Sequence, residues 1–386
     1  MSFSVALPRL MRVGSGASKE LPDSLGTLGL SRPLIVSDRF LRDTGKIEPI
    51  LDSLRTAGIP ADLFVDTVPE PTLRSIEALV EMLRAGDYDC VVAFGGGSPI
   101  DSAKAAAVLA VHGGRMRDYK TPHVQDRPGL PVVAIPTTAG TGSEATRFTI
   151  ITDEDTDEKM LCAGLAYLPV AAIVDFELTL TKPPRLTADT GIDALTHAIE
   201  AFVSVRATPF SDIFALAAMK AIGPNLRKVW SQPQDQEARE AMMLGATYAG
   251  IAFSNSSVAL VHGMSRPIGA HFHVPHGLSN AMLLPVVTAF SAPAAIARYA
   301  VCARAIGVSD DDVGDQAAVG ALVEELRLLN RDLGVPSPRA FGIDEARWND
   351  LLPTMVAQAI ASGSPGNNPR IASPEEIGKL YQAAWS

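Results

Sequence analysis

A chain of 386 residues can bury two cores, since a single core stops growing beyond about 250–300 residues. Hydrophobic residues at 47% and charged ones at 20% match a soluble globular protein. The formal net charge of −10 argues against nucleic acid or an anionic membrane as partner, because both demand a basic face. The N-terminal stretch MSFSVALPRLMRVG lacks a basic region followed by a long apolar one, so no secretory signal is expected. No uninterrupted apolar run approaches the ~18 residues that span a bilayer. Cys90, Cys162 and Cys302 are far apart and odd in number, and read as buried hydrophobes in a reducing compartment. The expected location is the cytoplasm.

The first half alternates strand and helix signals. PLIVSD (33–38) is an apolar run rich in branched residues, followed by the helical stretch IEPILDSLRTAG (47–58). ADLFVD (61–66) is again strand-like, and LRSIEALVEMLRAG (73–86) has helical spacing with a terminal glycine. An apolar strand, three glycines and an alanine-rich helix follow in DCVVAFGGGSPIDSAKAAAVLAV; PVVAIPTTAGTGSEA and AAIVDF (171–176) add further strands. Strands alternating with helices of ten or more residues indicate parallel pairing through crossovers. After about residue 180 strand-like runs are scarce. TKPPRLTADTGIDALTHAIEAFVSV carries two prolines and turns helical near Asp189, and amphipathic helices run nearly to the end. SGSPGNNP (362–369) reads as a loop. The expected architecture is an α/β domain over 1–180 and an all-α domain over 181–386.

AFGGGSPIDSAK (93–104) has the mechanics of a phosphate cradle. A strand ends at Phe94, the glycines turn without Cβ obstruction, Ser98 stands at the N-cap and Pro99 at the first helical position. The helix then points unpaired N–H groups at the loop, which suits a phosphate or pyrophosphate; a bare strand-to-helix turn is the bland alternative. PTTAGTGSE (136–144) is a second strand exit rich in glycine and hydroxyls. Asp38, ending the PLIVSD strand, is placed to accept from ribose hydroxyls and would repel a 2′-phosphate, favouring NAD over NADP. Because the acid precedes the glycines, this is no standard Rossmann fingerprint, and GSGASK (14–19) is taken as a turn.

Asp193 and His197 are four apart in GIDALTHAIE and project from one helix face. VHGMSRPIGAHFHVPHG (261–277) adds His262, His271, His273 and His276, so five of the seven histidines fall between 197 and 276. A lone Asp-x3-His is usually structural, and the histidine cluster changes that balance. One aspartate and three histidines form an N/O set without thiolate, suited to Fe2+ or Zn2+ with a position open for substrate. His112 and His123 read as surface residues.

GGGSPID, PTTAGTGSE, GIDALTHAIE and the VHG…PHG pair, in this order and spacing, resemble the iron-containing (group III) alcohol dehydrogenase family over essentially the whole chain. The resemblance implies a nucleotide-binding α/β domain, a helical metal-binding domain, a cleft between them, and assembly as a homodimer or higher homo-oligomer. It implies Asp193, His197, His262 and His276 as ligands of ferrous iron, with zinc as the alternative. Asp38, Gly95, Gly96, Gly97, Ser98, Asp101, Thr137, Thr138 and Thr141 match positions lining the NAD site. Lys159 matches a lysine that approaches the cofactor, and Phe253 an aromatic wall near the substrate. Two positions depart from the family: Arg266 replaces a histidine often assigned to proton transfer, and Glu70–Pro71 replaces an asparagine–proline pair.

The activity this implies is NAD-dependent, metal-assisted hydride transfer between a small primary alcohol and its aldehyde, with no nucleic-acid or membrane partner. A metal- and NAD-dependent lyase resembling dehydroquinate synthase is the alternative, although that family uses a glutamate as its acidic ligand. The proton must reach solvent through His273 or His271, or through ribose hydroxyls and water, since arginine does not deprotonate usefully; His273 is the favoured relay, and a histidine merely packed in a wet cleft is its alternative reading. Arg266, four residues from a ligand, points to a substrate bearing a carboxylate, phosphonate or sulfonate, with Arg147 as a possible neighbour. Pairing of Arg266 with a local acid is the competing reading.

Overall fold

The computed structural model describes residues 2–386. Contacts divide them into two compact units, one of Ala6–Thr181 and one of Lys182–Ser386 together with the residues ahead of Ala6.

In the first unit, strands β1 (Leu10–Val13), β2 (Pro33–Val36), β3 (Asp62–Phe64), β4 (Cys90–Gly95), β5 (Val132–Pro136) and β8 (Ala171–Val174) form one sheet in the order β1-β8-β5-β4-β2-β3. All its pairs are parallel, as the strand–helix alternation requires. Helices α1 (Leu21–Leu28), α2 (Arg39–Asp43), α3 (Glu48–Thr56), α4 (Leu73–Ala85) and α5 (Gly97–His112) supply the crossovers. Strand residues alternate between two buried faces. Leu34, Val36, Val91 and Ala93 pack with Ile76 and Leu79 of α4 and Ala103 of α5. Ile35, Val92, Phe94 and Ile135 pack with Leu21 of α1 and Leu54 of α3. Burial on both faces explains why these strands read as continuous apolar runs. An antiparallel hairpin, β6 (Phe148–Asp153) with β7 (Glu158–Ala163), is inserted between β5 and β8.

β4 and β5 pair from Val91–Val132 to Gly95–Pro136, so both glycine-rich exits leave side by side from the carboxyl edge of the sheet, where such sheets bind ligands. β2 ends beside them, and Ser37 donates its hydroxyl to the Phe94 carbonyl at 2.8 Å. The GSGASK loop turns at Gly14 and Gly16, both with positive φ. The Gly16 and Ser18 N–H groups and the Ser18 hydroxyl donate to Asp175 at 3.2, 3.1 and 2.6 Å, so the anion this loop holds is a side chain of the same chain.

The second unit is helical: α6 (Pro184–Val203), α7 (Pro209–Ser231), α8 (Gln236–Ser254), α9 (Leu260–Phe272), α10 (His276–Ser291), α11 (Ile296–Ile306), α12 (Asp315–Asp332), α13 (Pro338–Phe341), α14 (Glu345–Ala361) and α15 (Pro374–Ala384). α6 starts at Pro184, earlier than the expected start near Asp189, because proline is pre-shaped for the first helical turn. From Gly191 to Val203 every residue of α6 is buried, and α7, α8 and α10 pack around it. The 364–367 stretch of the expected loop is a short 3-10 turn whose Pro365 lies against Gly263 of α9. Residues His276–Ala294 are long and apolar enough to cross a membrane by length and composition, although polar residues interrupt the apolar run; most of that helix is buried inside this unit.

Candidate active site

The cradle in the α/β unit is built from backbone. Gly95 ends β4, Gly96 is the N-cap with φ −74° and ψ −162°, and α5 begins at Gly97. This corrects the sequence expectation: the strand runs one residue past Phe94, and Ser98 and Pro99 occupy the second and third helical positions. Extended Gly96 makes the turn without a side-chain cap, so the helix starts earlier. A Cβ on Gly97 would stand 2.9 Å from Thr141 Cγ2, tighter than real contacts allow, so the two glycine-rich loops interlock here. Thr138 lies against Gly96, and the Thr137 N–H donates to the Gly95 carbonyl at 2.9 Å. Gly95, Gly96, Gly97, Ser98, Thr137, Thr138 and Thr141 are therefore gathered in one place.

The charged residues assigned to this half have structural partners. Asp38 N-caps α2, accepting the Leu41 N–H at 2.9 Å. Asp101 accepts the Ser143 hydroxyl at 2.7 Å and the Ile150 N–H at 3.0 Å, bracing α5 against the hairpin. Burial pushes its carboxyl pKa up, against the opposing pull of Lys104 and these donors. Lys104, which the sequence reading did not single out, is fully buried. Its Nζ donates to Ser143 Oγ (2.9 Å), the Thr146 carbonyl (3.0 Å) and hydroxyl (3.1 Å), and the Phe148 carbonyl (2.9 Å). Burial lowers its pKa to about 8, with Asp101 and Glu144 opposing. Lys159 donates to Glu70 Oε1 at 2.5 Å, joining one of the two departures from the family to a residue assigned to the cofactor. Arg147 also belongs to this unit; burial lowers its pKa and Asp126 opposes the shift.

The helical unit gathers the candidate metal ligands. Asp193 and His197 share a face of α6, His262 lies in the first turn of α9, and His276 opens α10. One ligand atom from each lies within 4.8 Å of the others. Asp193 Oδ1 stands 3.5 Å from His262 Nε2 and 3.8 Å from His276 Nε2, and Asp193 Oδ2 is 4.0 Å from His197 Nδ1. Four atoms held ~2.1 Å from one cation stand about 3.5 Å apart, so this set fits a divalent ion. Burial opposes the Asp193 charge, but His197, His276 and His262 outweigh it and hold the carboxyl pKa well below the usual range.

Several residues position the ligands. Gly277 lets α10 start against α6, since a Cβ there would meet the Asp189 carbonyl oxygen at 2.3 Å. Phe253 stacks on His197 with centroids 4.3 Å apart. Glu200, missed in the sequence, does two jobs. It accepts the Ala259 and Val261 N–H groups at 2.9 and 2.6 Å, capping an α9 that lacks a side-chain cap of its own. It also accepts from His262 Nδ1 at 2.6 Å, leaving Nε2 for a metal. Burial disfavours a charged His262 ring, and Glu200 and Asp193 overcome this and raise its pKa. Asn280, also missed, lies one turn beyond His276 and donates through Nδ2 to Asp193 Oδ1 at 2.6 Å. The signal for Glu200 was its spacing, seven residues from Asp193 on the same helix face.

Arg266 is 5% exposed, and its Nη1 donates to Ser364 Oγ at 3.0 Å. Its Nε has no hydrogen-bond partner, and among the described residues no carboxylate forms an ion pair with it. Burial brings its pKa down to about 10, and Glu200 acts against that shift. His273 is exposed and closes α9 in a left-handed conformation, φ 54°. His271 is engaged, its Nε2 lying 2.8 Å from Gln358 Oε1.

With both halves described, comparison with known proteins gives one answer. Residues 8–176 match the family model described as iron-containing alcohol dehydrogenase, and residues 187–385 that of the Fe-containing alcohol dehydrogenase family, C-terminal. The long-chain-alcohol dehydrogenase 1 of Geobacillus thermodenitrificans (strain NG80-2) is 39% identical, over 99% of this chain and 96% of its own. A crystal structure of a 1,3-propanediol oxidoreductase superposes with a TM-score of 0.94 at 32% identity, covering all of both chains. The sulfoacetaldehyde reductase of Bifidobacterium kashiwanohense, solved with NAD+, gives a TM-score of 0.88 at 30% identity, over 100% of this chain and 99% of that one. All three are named for oxidising or reducing an alcohol or aldehyde, so the lyase alternative is not favoured. The same motifs that carried the resemblance thus lie inside two matching models that together span nearly the whole chain, and the chain belongs to the iron-containing alcohol dehydrogenase family.

Proposed function

We propose that this NAD-dependent enzyme interconverts a small primary alcohol bearing an anionic group and its aldehyde, with ferrous iron held by Asp193, His197, His262 and His276. The observation that carries the anionic substrate is Arg266. A guanidinium buried four residues from a ligand, hydrogen-bonded to one hydroxyl and in direct contact with no carboxylate, is offset only by the field of nearby Glu200 and has room for a negative group of the substrate. The relative named sulfoacetaldehyde reductase, whose substrate name carries a sulfonate, supports this reading. The donor set suits both Fe2+ and Zn2+, and membership of an iron-containing family favours iron.

When bound, the cation supplies a Lewis acid toward the substrate hydroxyl, and NAD supplies the hydride acceptor. The chain's residues do the rest. The Asp193 carboxylate partly offsets the cation's charge, Glu200 fixes the His262 tautomer, and Asn280 holds the Asp193 oxygen. Arg266 grips the remote anionic end and so sets which carbon faces the cofactor. His273, exposed beyond α9, hands the released proton to solvent.

The unpaired, buried Cys90, Cys162 and Cys302 fit a cytoplasmic protein. A homodimer is supported by the exposed apolar residues Phe3, Val5 and Leu7 and by Val13 on edge strand β1; light scattering after size exclusion tests it. The substrate reading is tested by anaerobic purification, metal analysis and an NAD-reduction screen of small alcohols and hydroxy acids. Wild type is expected to prefer the anionic substrates, and Arg266→Ala to lose at least tenfold of that preference in kcat/KM. An unchanged preference in Arg266→Ala rejects the anionic substrate.

A further inference from the structure

At the mouth of the glycine cradle stands a carboxylate, where an anion-binding loop would ordinarily carry none. Glu70 sits in the left-handed region at φ 54°, a conformation that non-glycine residues adopt only when their surroundings hold them there. Three contacts supply that hold. The Glu70 N–H donates to Ser98 Oγ, in the first turn of α5, at 3.1 Å. The Pro71 carbonyl accepts the Thr152 N–H at 2.8 Å. The Glu70 carboxylate accepts from Lys159 Nζ at 2.5 Å. Lys159 is almost fully buried, with 5% of its side chain exposed, against 36% for Glu70. The segment after β3 is thus tied to the hairpin by an ion pair and a hydrogen bond and to α5 by another hydrogen bond, next to the helix N-terminus where a phosphate would bind.

We propose that Glu70 is a residue setting cofactor affinity: it holds the Lys159 ammonium as a neutral pair and so withholds one positive charge from the dinucleotide's pyrophosphate. A free ammonium beside the helix N-terminus would strengthen anion binding. Paired, it contributes little net field to the cradle, and the dinucleotide binds mainly through main-chain donors. Such a cradle holds its cofactor less tightly and releases it sooner, which matters where product release limits turnover. This inference rests on the NAD reading and adds to it the charge balance of the site.

The test is fluorescence titration of NADH into the full-length enzyme at low and high salt. It compares wild type with Glu70→Gln, Lys159→Met and the double variant, and a thermal melt of each checks folding. Glu70→Gln keeps the shape, frees the ammonium, and is expected to tighten NADH binding about fivefold with a steeper salt dependence. Lys159→Met leaves the carboxylate uncompensated and should weaken binding at least tenfold. The double variant should return close to wild type, giving a large coupling in the cycle. If Glu70→Gln does not fold, Glu70→Asn replaces it, since asparagine tolerates the left-handed backbone. Unchanged or weaker NADH binding in the Glu70 variant overturns the proposal, as does Lys159→Met behaving like wild type. A wild type that binds no NADH would instead sink the cofactor reading beneath it.

Discussion

The glycine cradle of the first unit and the metal set of the second are built from opposite materials. The cradle between β4 and α5 is main chain: its donors are N–H groups, and its side chains matter chiefly by being small. The metal set is side chain throughout, drawn from α6, α9 and α10 and braced by Glu200 and Asn280. A backbone site fails when atoms are added, whereas a side-chain site fails when they are removed. The two should therefore break independently.

The largest effect is expected from Asp193→Ala or His262→Ala. Each removes one ligand from a set of four and should cut alcohol oxidation by roughly three orders of magnitude with loss of bound metal. Elemental analysis alongside turnover checks this; NADH binding should survive, and its loss would break the distinction between the halves. Gly97→Val is the reverse experiment. Its side chain would drive into Thr141, so NADH affinity should drop about a hundredfold while metal content stays intact. Glu200→Gln comes next. It weakens the acceptor that orients His262, and metal affinity should fall on the order of tenfold to a hundredfold, read by competition with a chelator. Glu200→Asp, which keeps the charge, should recover part of that loss.

The smallest effect is on stability. Lys104→Met strands the acceptors on Ser143, Thr146 and Phe148, at about 1–3 kcal/mol. Its pH dependence has a fixed sign. The native pKa is lowered to about 8, while the unfolded chain keeps a lysine near ~10.4. Above pH 8 the unfolded state binds more protons, so wild type should gain stability relative to Lys104→Met as pH rises toward ~10. Denaturant melts at pH 7.5 and 9.5 would read it, and a gap that narrows with pH would show that Lys104 keeps its proton.

Legibility in the sequence followed the range of the contacts. GGGS and Asp-x3-His announce themselves because their function lies within one turn or one helix face. Spacing placed Glu200 on the Asp193 face, but its role was hidden because its partners, Ala259, Val261 and His262, lie dozens of residues later. Asn280 escaped for a related reason: its spacing from His276 was plain, but only packing brings Asp193 to it. The start of α5 was misplaced by Ser98, a good cap by composition, although Gly96 makes the turn unaided. Arg266 was found by its departure from a family pattern, but its bond to Ser364 in place of a direct ion pair could be seen only once α9 and Ser364 were side by side.

Between Arg266 and Arg298 the chain carries no aspartate, glutamate, lysine or arginine, and α10 lies within that stretch, packed by α6 and α9 from before it and by α12 and α15 from after it. A ribosome must therefore release the last helix before the middle one is fully sheltered. Until then the emerging polypeptide presents an uncharged, membrane-like segment to whatever waits outside the exit tunnel. Chaperone demand during synthesis should be set by that stretch more than by the sheet, whose last strand, β8, pairs with β1 and β5 before any of the helical unit is made.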